Sequence, residues 1–180
     1  MESKNLESLR YPIGIYTPKP NVPIEELKKY IQDITHLPAQ LRKAVKDLSE
    51  KELDTPYRPG GWTVRQTVNH IADSHINSYT RFKLALTEDK PVIKTYEEHL
   101  WAELEDGKYA PVNMSLLLLE ALHLRWVMLL ESLTPEQWQR VFVHPTLGEV
   151  NLSNAVGLYS WHGQHHVAHI TELRKRNFDR

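Results

Sequence analysis

The segment that decides the fold reads SNAVGLYSWHGQHHVAHITELRKR across residues 153–176. Ser153 is a favourable N-cap residue, and the apolar residues that follow it recur at intervals of three and four. One such stripe passes through Tyr159 and Ile170. This spacing predicts a long C-terminal helix that ends at about Arg176.

The same segment contains four histidines in two pairs with i,i+4 spacing, His162 with His166 and His165 with His169. Residues four apart lie one turn apart on one face of a helix. Two imidazoles placed in this way can bind a single transition-metal ion. The helix is therefore a candidate metal site with two possible ligand pairs.

The neighbours of each pair along the helix favour one of them. The first stripe is apolar on both sides of its histidines and is expected to face the core: Ala155, Val156, Tyr159, His162, Gly163, His166, Ile170 and Leu173. The second stripe begins with apolar residues and ends with charged ones, so it is expected to reach the surface: Leu158, Trp161, His165, His169, Glu172 and Arg176. An interior metal site therefore favours His162 and His166, and His165 and His169 are interpreted as rim or interface residues.

Helical signals dominate the rest of the chain, and four long helices with extra short ones are expected. Residues 1–23 hold four prolines, which fix φ and remove backbone donors, so they predict an extended N-terminal arm. Residues 24–180 are expected to form one domain. No strand-like alternation is long enough to build a sheet, and residues 141–150 predict only a short extended turn. The predicted fold class is an all-α bundle.

Capping residues set the expected helix boundaries. Thr63 followed by Gln66 is a capping-box pattern that opens a long helix, and Thr134-Pro135 opens a short one. The remaining expectations are an end or a kink of the first long helix at Pro38, a short helix over residues 97–105, and a cap at Asn113 or Ser115.

Composition limits the classes of function. The chain has a net charge of −1, and no Lys/Arg run interleaves with aromatics, so a nucleic-acid-binding surface is not expected. The N-terminal residues are polar, and the longest apolar run, residues 116–119, is far too short for a membrane span, so a cytoplasmic protein is predicted. The chain has no cysteine, so any metal ligands must be His, Asp or Glu.

A third ligand is available on the helix that Thr63 opens. His70 lies in a polar stripe beside the apolar one, and its alternative interpretation is a solvated surface residue. Three neutral histidines leave coordination positions open for water or substrate, as catalytic sites do. Asp73 is a candidate to accept the second N–H of His70 or to contact bound water, although a solvated helix acid is an equal alternative.

The remaining histidines have no partner at ligand spacing. His75 lies on the apolar stripe of its helix and is interpreted as a hydrogen-bonded core residue or a partner of a ligand. The others are interpreted as structural or surface residues: His36, His99, His123 and His144. Gly163 stands where the general base of the His-Glu-x-x-His proteases would be, so that class of protease is excluded.

Several motifs together resemble the YfiT family of metal-dependent hydrolases in the DinB-like superfamily, over essentially the whole chain. They are YPIG (11–14), PYRPGGWTVRQ (56–66), HIADSH (70–75), RFKL (81–84), LYSWH (158–162) and HVAHITEL (166–173). The resemblance implies a DinB-like four-helix bundle with an unusual helix order. It also implies that the family's metal ligands correspond to His70, His162 and His166, and that the protein is a cytoplasmic homodimer.

The resemblance further implies zinc as the usual ion, with nickel, manganese or iron as alternatives, and a similarity to bacillithiol S-transferases. The first hypothesis is therefore a hydrolase of a small substrate, in which the ion activates water. The second is transfer of a metal-bound thiolate to an electrophile, at the same site. In either reaction Asp73 is expected to orient or deprotonate the nucleophile, and Arg81 to hold an anionic group. The third hypothesis is a non-enzymatic, metal-stabilised dimeric bundle.

Overall fold

The computed structural model describes the backbone of residues 2–178 and the side chains of residues 6–178. Four long helices dominate the described part: α2 (Ile24–Val45), α4 (Val64–Thr87), α7 (Val112–Glu131) and α9 (Leu152–Asn177). The short elements are α1 (Glu2–Arg10), α3 (Glu50–Leu53), α5 (Glu98–Trp101), α6 (Glu105–Tyr109), α8 (Pro135–Trp138), β1 (Val141–His144) and β2 (Gly148–Asn151).

The four long helices form a bundle. α2 packs against α7 and α9, and α4 packs against the same two helices, so the four helices enclose one interior. The predicted all-α bundle is confirmed. The expectation that no sheet forms is wrong for residues 141–151, where β1 and β2 pair antiparallel as a small hairpin.

Two apolar clusters fill the interior at different heights. One contains Ile34, Phe82, Trp126 and Tyr159 among others. The second contains Leu41, Ile71, Leu119 and Ile170 among others. The stretches between the two clusters carry histidines on three helices: His75 on α4, His123 on α7, and His162, His165, His166 and His169 on α9. Because buried polar groups must be hydrogen-bonded to be tolerated, these imidazoles need partners within the bundle.

Side-chain caps are present at the starts of α3, α4, α8 and α9. Thr63 and Thr134 each accept a hydrogen bond from the backbone N–H three residues on, and both capping boxes are present as predicted. The predicted cap of the last helix is wrong by two residues. Asn151 is the cap, because its side-chain oxygen accepts from the N–H of Asn154 at 2.8 Å, and Ser153 lies within the first turn of α9.

Two other predicted boundaries are also wrong. α7 begins after Pro111, so Asn113 and Ser115 lie inside the helix. Pro38 does not end α2, which continues to Val45, and a kink at this proline stays a prediction. A proline inside a helix removes the N–H that would bond the carbonyl four residues earlier. Here that carbonyl belongs to Ile34, and it accepts a hydrogen bond from His123 instead.

The N-terminal segment is not extended throughout. Residues 2–10 form α1, and the prolines of the segment all come after it. Residues 11–23 run without regular secondary structure along the bundle, as expected for a proline-rich arm. The hydroxyl of Tyr16 donates to the main-chain oxygen of Asn154 at 3.0 Å, which fastens this arm to the start of α9.

The expected helix over residues 97–105 is too long, because α5 ends at Trp101 and a separate helix, α6, begins only at Glu105. α6 lies beside α4, where Asn69 donates to the carbonyls of Asp106 and Gly107, each at 3.1 Å. α7 is long and apolar enough to cross a membrane by length and composition alone. It packs against α2 and α4 through Leu116, Leu119 and Trp126, so we interpret it as a bundle helix.

Candidate metal centre

Three histidines from two helices converge inside the bundle. His70 comes from α4, and His162 and His166 come from successive turns of α9. The three nitrogens that they offer all lie within 4.8 Å of one another. Among the side chains of residues 6–178, no other His, Asp or Glu joins this group.

The spacing fits a metal ion. Two nitrogens bound to a tetrahedral zinc at about 2.0–2.1 Å lie about 3.3 Å apart. The Nε2 atoms of His70 and His162 lie 3.2 Å apart. Imidazole nitrogen is a suitable ligand for zinc, copper, iron or nickel. The donor set and its geometry therefore fit a divalent transition metal.

The local sequence explains why the three rings meet. The i,i+4 spacing on α9 brings the rings of His162 and His166 to within 4.6 Å, centroid to centroid. Gly163, between them in sequence, faces α2, and a Cβ there would lie 2.5 Å from a methyl carbon of Leu37. The missing side chain thus lets α9 approach α2 closely. Trp62, just before α4, covers the outer side of His70 at 4.5 Å.

Burial keeps the three candidate ligand histidines neutral. It lowers the pKa of His70 to about 4, because the charged imidazolium is poorly solvated inside the bundle. Burial also lowers the pKa of His162 and His166 well below the usual range, and the neighbouring histidines add to the shift. A neutral imidazole is the form that binds metal, so these shifts keep the site competent at neutral pH.

The prediction that His165 and His169 lie at the rim is wrong. Their exposed fractions are 6 % and 3 %. The ring of Tyr57 stacks on His169 at 3.9 Å, and Tyr11 lies 6.0 Å from His165. The end of α1 and the loop before α4 cover this face of α9, and the spacing along α9 alone contains no information about them.

The histidines also contact one another beyond the three ligands. His162 Nδ1 lies 3.3 Å from His75 Nε2, and His75 Nδ1 lies 3.0 Å from His123 Nε2. His166 Nδ1 lies 3.3 Å from His169 Nδ1. His123 and His75 are buried, so the former is structural as expected and the latter is a core residue that contacts a ligand.

The three histidines form part of the wall of a cavity of about 890 Å³. A cavity of this size is suitable for a small-molecule ligand. Aromatic and charged side chains form much of the remaining wall: Trp62, Tyr96, Tyr159, Trp161, Arg10, Arg58, Arg81, Glu97 and Glu98. The sequence indicated only Arg81 among the charged residues, because the others lie on segments without a recognisable functional spacing.

Asp73 and Arg81 occupy different positions relative to this cavity. Arg81 lines it, and its guanidinium donates to the hydroxyl of Tyr159 at 3.2 Å. Asp73 is half-buried, and it is not among the described residues that line the cavity. Burial raises the pKa of Asp73 to about 6, and the negative charge of Asp106 adds to the shift.

Helices that supply inward-pointing histidines to one site define a bundle protein with a candidate metal centre between its helices. The DinB superfamily model matches residues 33–170, and the chain belongs to this superfamily. A Bacillus cereus protein with the name "Putative metal-dependent hydrolase" is 58% identical over 171 residues, which cover 95% of this chain and 98% of the relative. A Bacillus anthracis protein with the same name has the same identity and coverage.

Two solved structures resemble this chain, one in sequence and fold and the other in fold alone. YfiT from Bacillus subtilis, described as a probable metal-dependent hydrolase with an unusual four-helix bundle topology, is 53% identical and superposes with a TM-score of 0.92. The match covers 94% of this chain and 97% of YfiT. The four-helix bundle protein TT2238 shares only the fold, at 18% identity and a TM-score of 0.53. The resemblance to the YfiT proteins inferred from the motifs is confirmed.

Proposed function

We propose that this protein is a metal-dependent hydrolase of a small-molecule substrate, with one divalent ion held by His70, His162 and His166. The observation that carries the proposal is the convergence of three imidazole nitrogens within 4.8 Å in the wall of the cavity. The names of the B. cereus relative and of YfiT support the class of activity. When bound, the ion supplies an acidified water and a charge that polarises a carbonyl, or it deprotonates a thiol.

We propose zinc as the ion, with nickel, iron or manganese as alternatives. Three neutral imidazoles without a carboxylate suit zinc, nickel or iron, whereas manganese prefers oxygen ligands. A closed structural zinc site has four protein ligands, and a catalytic one keeps a position open. Because only three donors converge among residues 6–178, the site favours the open, catalytic form over a structural metal staple.

The cavity wall provides the means to orient a substrate. We propose that Arg81 binds an anionic group of the substrate. The guanidinium of Arg81 is positioned by two hydrogen bonds that it donates, to the hydroxyl of Tyr159 at 3.2 Å and to the carbonyl of Lys94 at 3.4 Å. The rings of Trp62 and Tyr96 provide apolar surface that excludes water from the reacting groups.

The proposed function is tested by screening the zinc-loaded protein against chromogenic esters and amides, with and without a low-molecular-weight thiol. His162→Ala is the control, because it removes a ligand. Hydrolysis without thiol that is lost in the control supports the proposal. Consumption of an electrophile only when thiol is present would replace it with thiol transfer, a reaction compatible with the same site and with the absence of cysteine from the chain. Stoichiometric zinc with neither activity would favour the metal staple.

Asp73→Asn tests the role proposed for that carboxylate. If Asp73 orients or deprotonates the nucleophile, we expect kcat to fall by about 10²–10⁴-fold, the usual contribution of general acid–base catalysis. Zinc content should stay near one per chain, because Asp73 is not among the ligands. Turnover and elemental analysis measure the two effects. Unchanged turnover would remove Asp73 from the mechanism, in line with its position outside the cavity wall.

We also propose that a second copy of the chain covers α7. Five large side chains on its outer face are 46–72 % exposed: Met114, Leu117, Leu118, Leu124 and Met128. Counted from Ala121, methionines stand seven residues away on both sides and leucines three residues away on both sides. Two such helices that cross antiparallel at Ala121 would pair like with like, as a two-fold interface requires.

Leu118→Glu is therefore expected to give a monomer, because a dimer would bury the new carboxylates near the two-fold axis at a high desolvation cost. Light scattering after size-exclusion chromatography measures the mass. Ile24→Glu is the matched control, since Ile24 is 60 % exposed and lies on a different helix, at the start of α2. A monomeric wild-type protein would contradict the proposal.

A further inference from the structure

We propose that two chains of histidine hydrogen bonds, each ending on a main-chain carbonyl, hold His162 and His166 in the tautomer that presents Nε2 to the metal. The positioning residues are His75 and His123 in one chain and His169 in the other. This inference rests on the metal site of the proposed function, and it is independent of which reaction the ion supports.

The first chain begins at Ile34. His123 Nδ1 lies 2.6 Å from the carbonyl oxygen of Ile34, and a carbonyl only accepts, so His123 carries its proton on Nδ1. A neutral imidazole has one donor and one acceptor. His123 Nε2 must then accept from His75 Nδ1, at 3.0 Å. By the same rule His75 Nε2 accepts from His162 Nδ1, at 3.3 Å.

The end of this chain follows from the same rule. With its proton on Nδ1, His162 keeps the lone pair on Nε2, and this is the atom that lies 3.2 Å from Nε2 of His70. The opposite polarity would place a proton on His162 Nε2, where the lone pair is needed for the metal. His75 and His123 are 0 % and 2 % exposed, so water cannot readily replace either partner.

Pro38 explains why the carbonyl of Ile34 is available. In an unbroken helix that oxygen would accept from the N–H of residue 38, and proline has none. The oxygen of Ile34 therefore has no N–H donor at residue 38, and His123 Nδ1 donates a hydrogen bond to it instead. The proline within α2 thus determines the direction of the whole chain from Ile34 to His162.

The second hydrogen-bond chain is shorter, and its proton positions follow from the same rule. His169 Nε2 lies 3.0 Å from the carbonyl oxygen of Arg10, so His169 donates from Nε2 and accepts at Nδ1. His166 Nδ1, 3.3 Å away, must be the donor, and its Nε2 keeps the lone pair. Arg10 is the last residue of α1, where helical carbonyls have no N–H partner within the helix.

Imidazole nitrogen NMR of the metal-free protein tests the assignment directly. In the wild type we expect protonated Nδ1 and unprotonated Nε2 for His75, His123, His162 and His166, and the reverse for His169. A proton on Nε2 of His162 or His166 would overturn the proposal. This spectrum reports on tautomers whether or not the protein catalyses hydrolysis, so the outcome is separate from that of the activity screen.

Substitutions at His75 test the effect on the ligand. His75→Leu removes the acceptor for His162 Nδ1–H, and we expect zinc affinity to fall about 10–100-fold, the usual cost of losing such a partner. His75→Gln keeps an acceptor oxygen at a similar reach and should stay within about threefold of wild type. Trp126→Phe is the packing control, because Trp126 contacts His75 edge-on at 5.7 Å and its Nε1 has no partner.

Chelator competition measures these affinities. Equal losses in the Leu and Gln variants, or a loss in Trp126→Phe as large as in His75→Leu, would reduce His75 to a packing role and overturn the first chain. If His75→Leu does not fold, the comparison is repeated with His169→Leu and His169→Asn, in the second hydrogen-bond chain. The asparagine oxygen stands near the position of Nδ1 of His169 and keeps an acceptor there. A zinc affinity that is unchanged in His169→Leu would overturn that chain.

Discussion

Replacement of His166 by alanine is expected to lower zinc affinity by about 100-fold or more. Four-ligand zinc sites bind with about 10–16 kcal/mol, so one ligand contributes about 3 kcal/mol, or roughly two orders of magnitude. His70→Ala and His162→Ala should have effects of the same size, because all three nitrogens lie within 4.8 Å of one another. Competition with a chromophoric chelator measures the affinity, and elemental analysis measures the stoichiometry.

His165→Ala is the matched control for this prediction. His165 is adjacent to His166 in sequence and similarly buried, but it is not one of the three converging donors. Its ring stacks on Trp161 at 4.4 Å instead. We expect its substitution to leave zinc affinity within about threefold of wild type. Loss of zinc in His165→Ala but not in His166→Ala would show that the wrong pair on α9 has been assigned.

The metal-free protein is expected to lose stability steeply as the pH falls below about 6.5. Burial lowers the pKa of His70, His123 and His169 to about 4 in each case, and that of His165 to about 3. A group with a lowered native pKa takes up its proton on unfolding, so stability is present above the unfolded pKa of 6.5 and is lost as the pH falls toward the native value. Each such histidine removes about 1.4 kcal/mol of unfolding free energy per pH unit.

Urea unfolding in the presence of a chelator, at pH 7.5, 6.5 and 5.5, measures this loss. His123→Gln should make the pH dependence shallower by about one proton, since one buried imidazole is removed. His36→Ala should leave the slope unchanged, because His36 is exposed on α2. A wild-type stability that stays constant between pH 7.5 and 5.5 would contradict the burial of these imidazoles in the neutral form.

Local sequence was sufficient where the relevant interaction is local. The capping boxes at Thr63 and Thr134 and the i,i+4 pair on α9 each involve residues three or four apart, whose relative positions follow from helical geometry. The choice of His162 and His166 depended on the apolar residues around them, which reflect burial in the bundle. These features predicted the bundle and two of the three histidines that the structure brings together, His162 and His166.

Other features depend on residues that are distant in sequence. The spacing along α9 predicts exposure for His165 and His169, because the covering residues, Arg10, Tyr11 and Tyr57, belong to other segments. From local sequence, Pro38 is expected to end or kink its helix. The hydrogen bond that replaces the missing one at the Ile34 carbonyl comes from His123 on α7, which is distant in sequence. Neither partner can be recognised without the packed structure.

The sequence by itself determined that the protein is a helical bundle with a histidine pair on its last helix, since helical periodicity and capping are properties of neighbouring residues. The sequence proposed His70 as a third ligand but left a solvated surface position as the alternative. Only the tertiary structure decided that His70 lies beside the pair, that a cavity adjoins the three rings, and that His75, His123 and His169 contact the same cluster. The physical reason is that hydrogen bonds between helices depend on which backbone carbonyls and imidazoles packing brings within about 3 Å of each other. The carbonyls of Ile34 and Arg10 lie 89 and 159 residues away in sequence from His123 and His169, which donate to them.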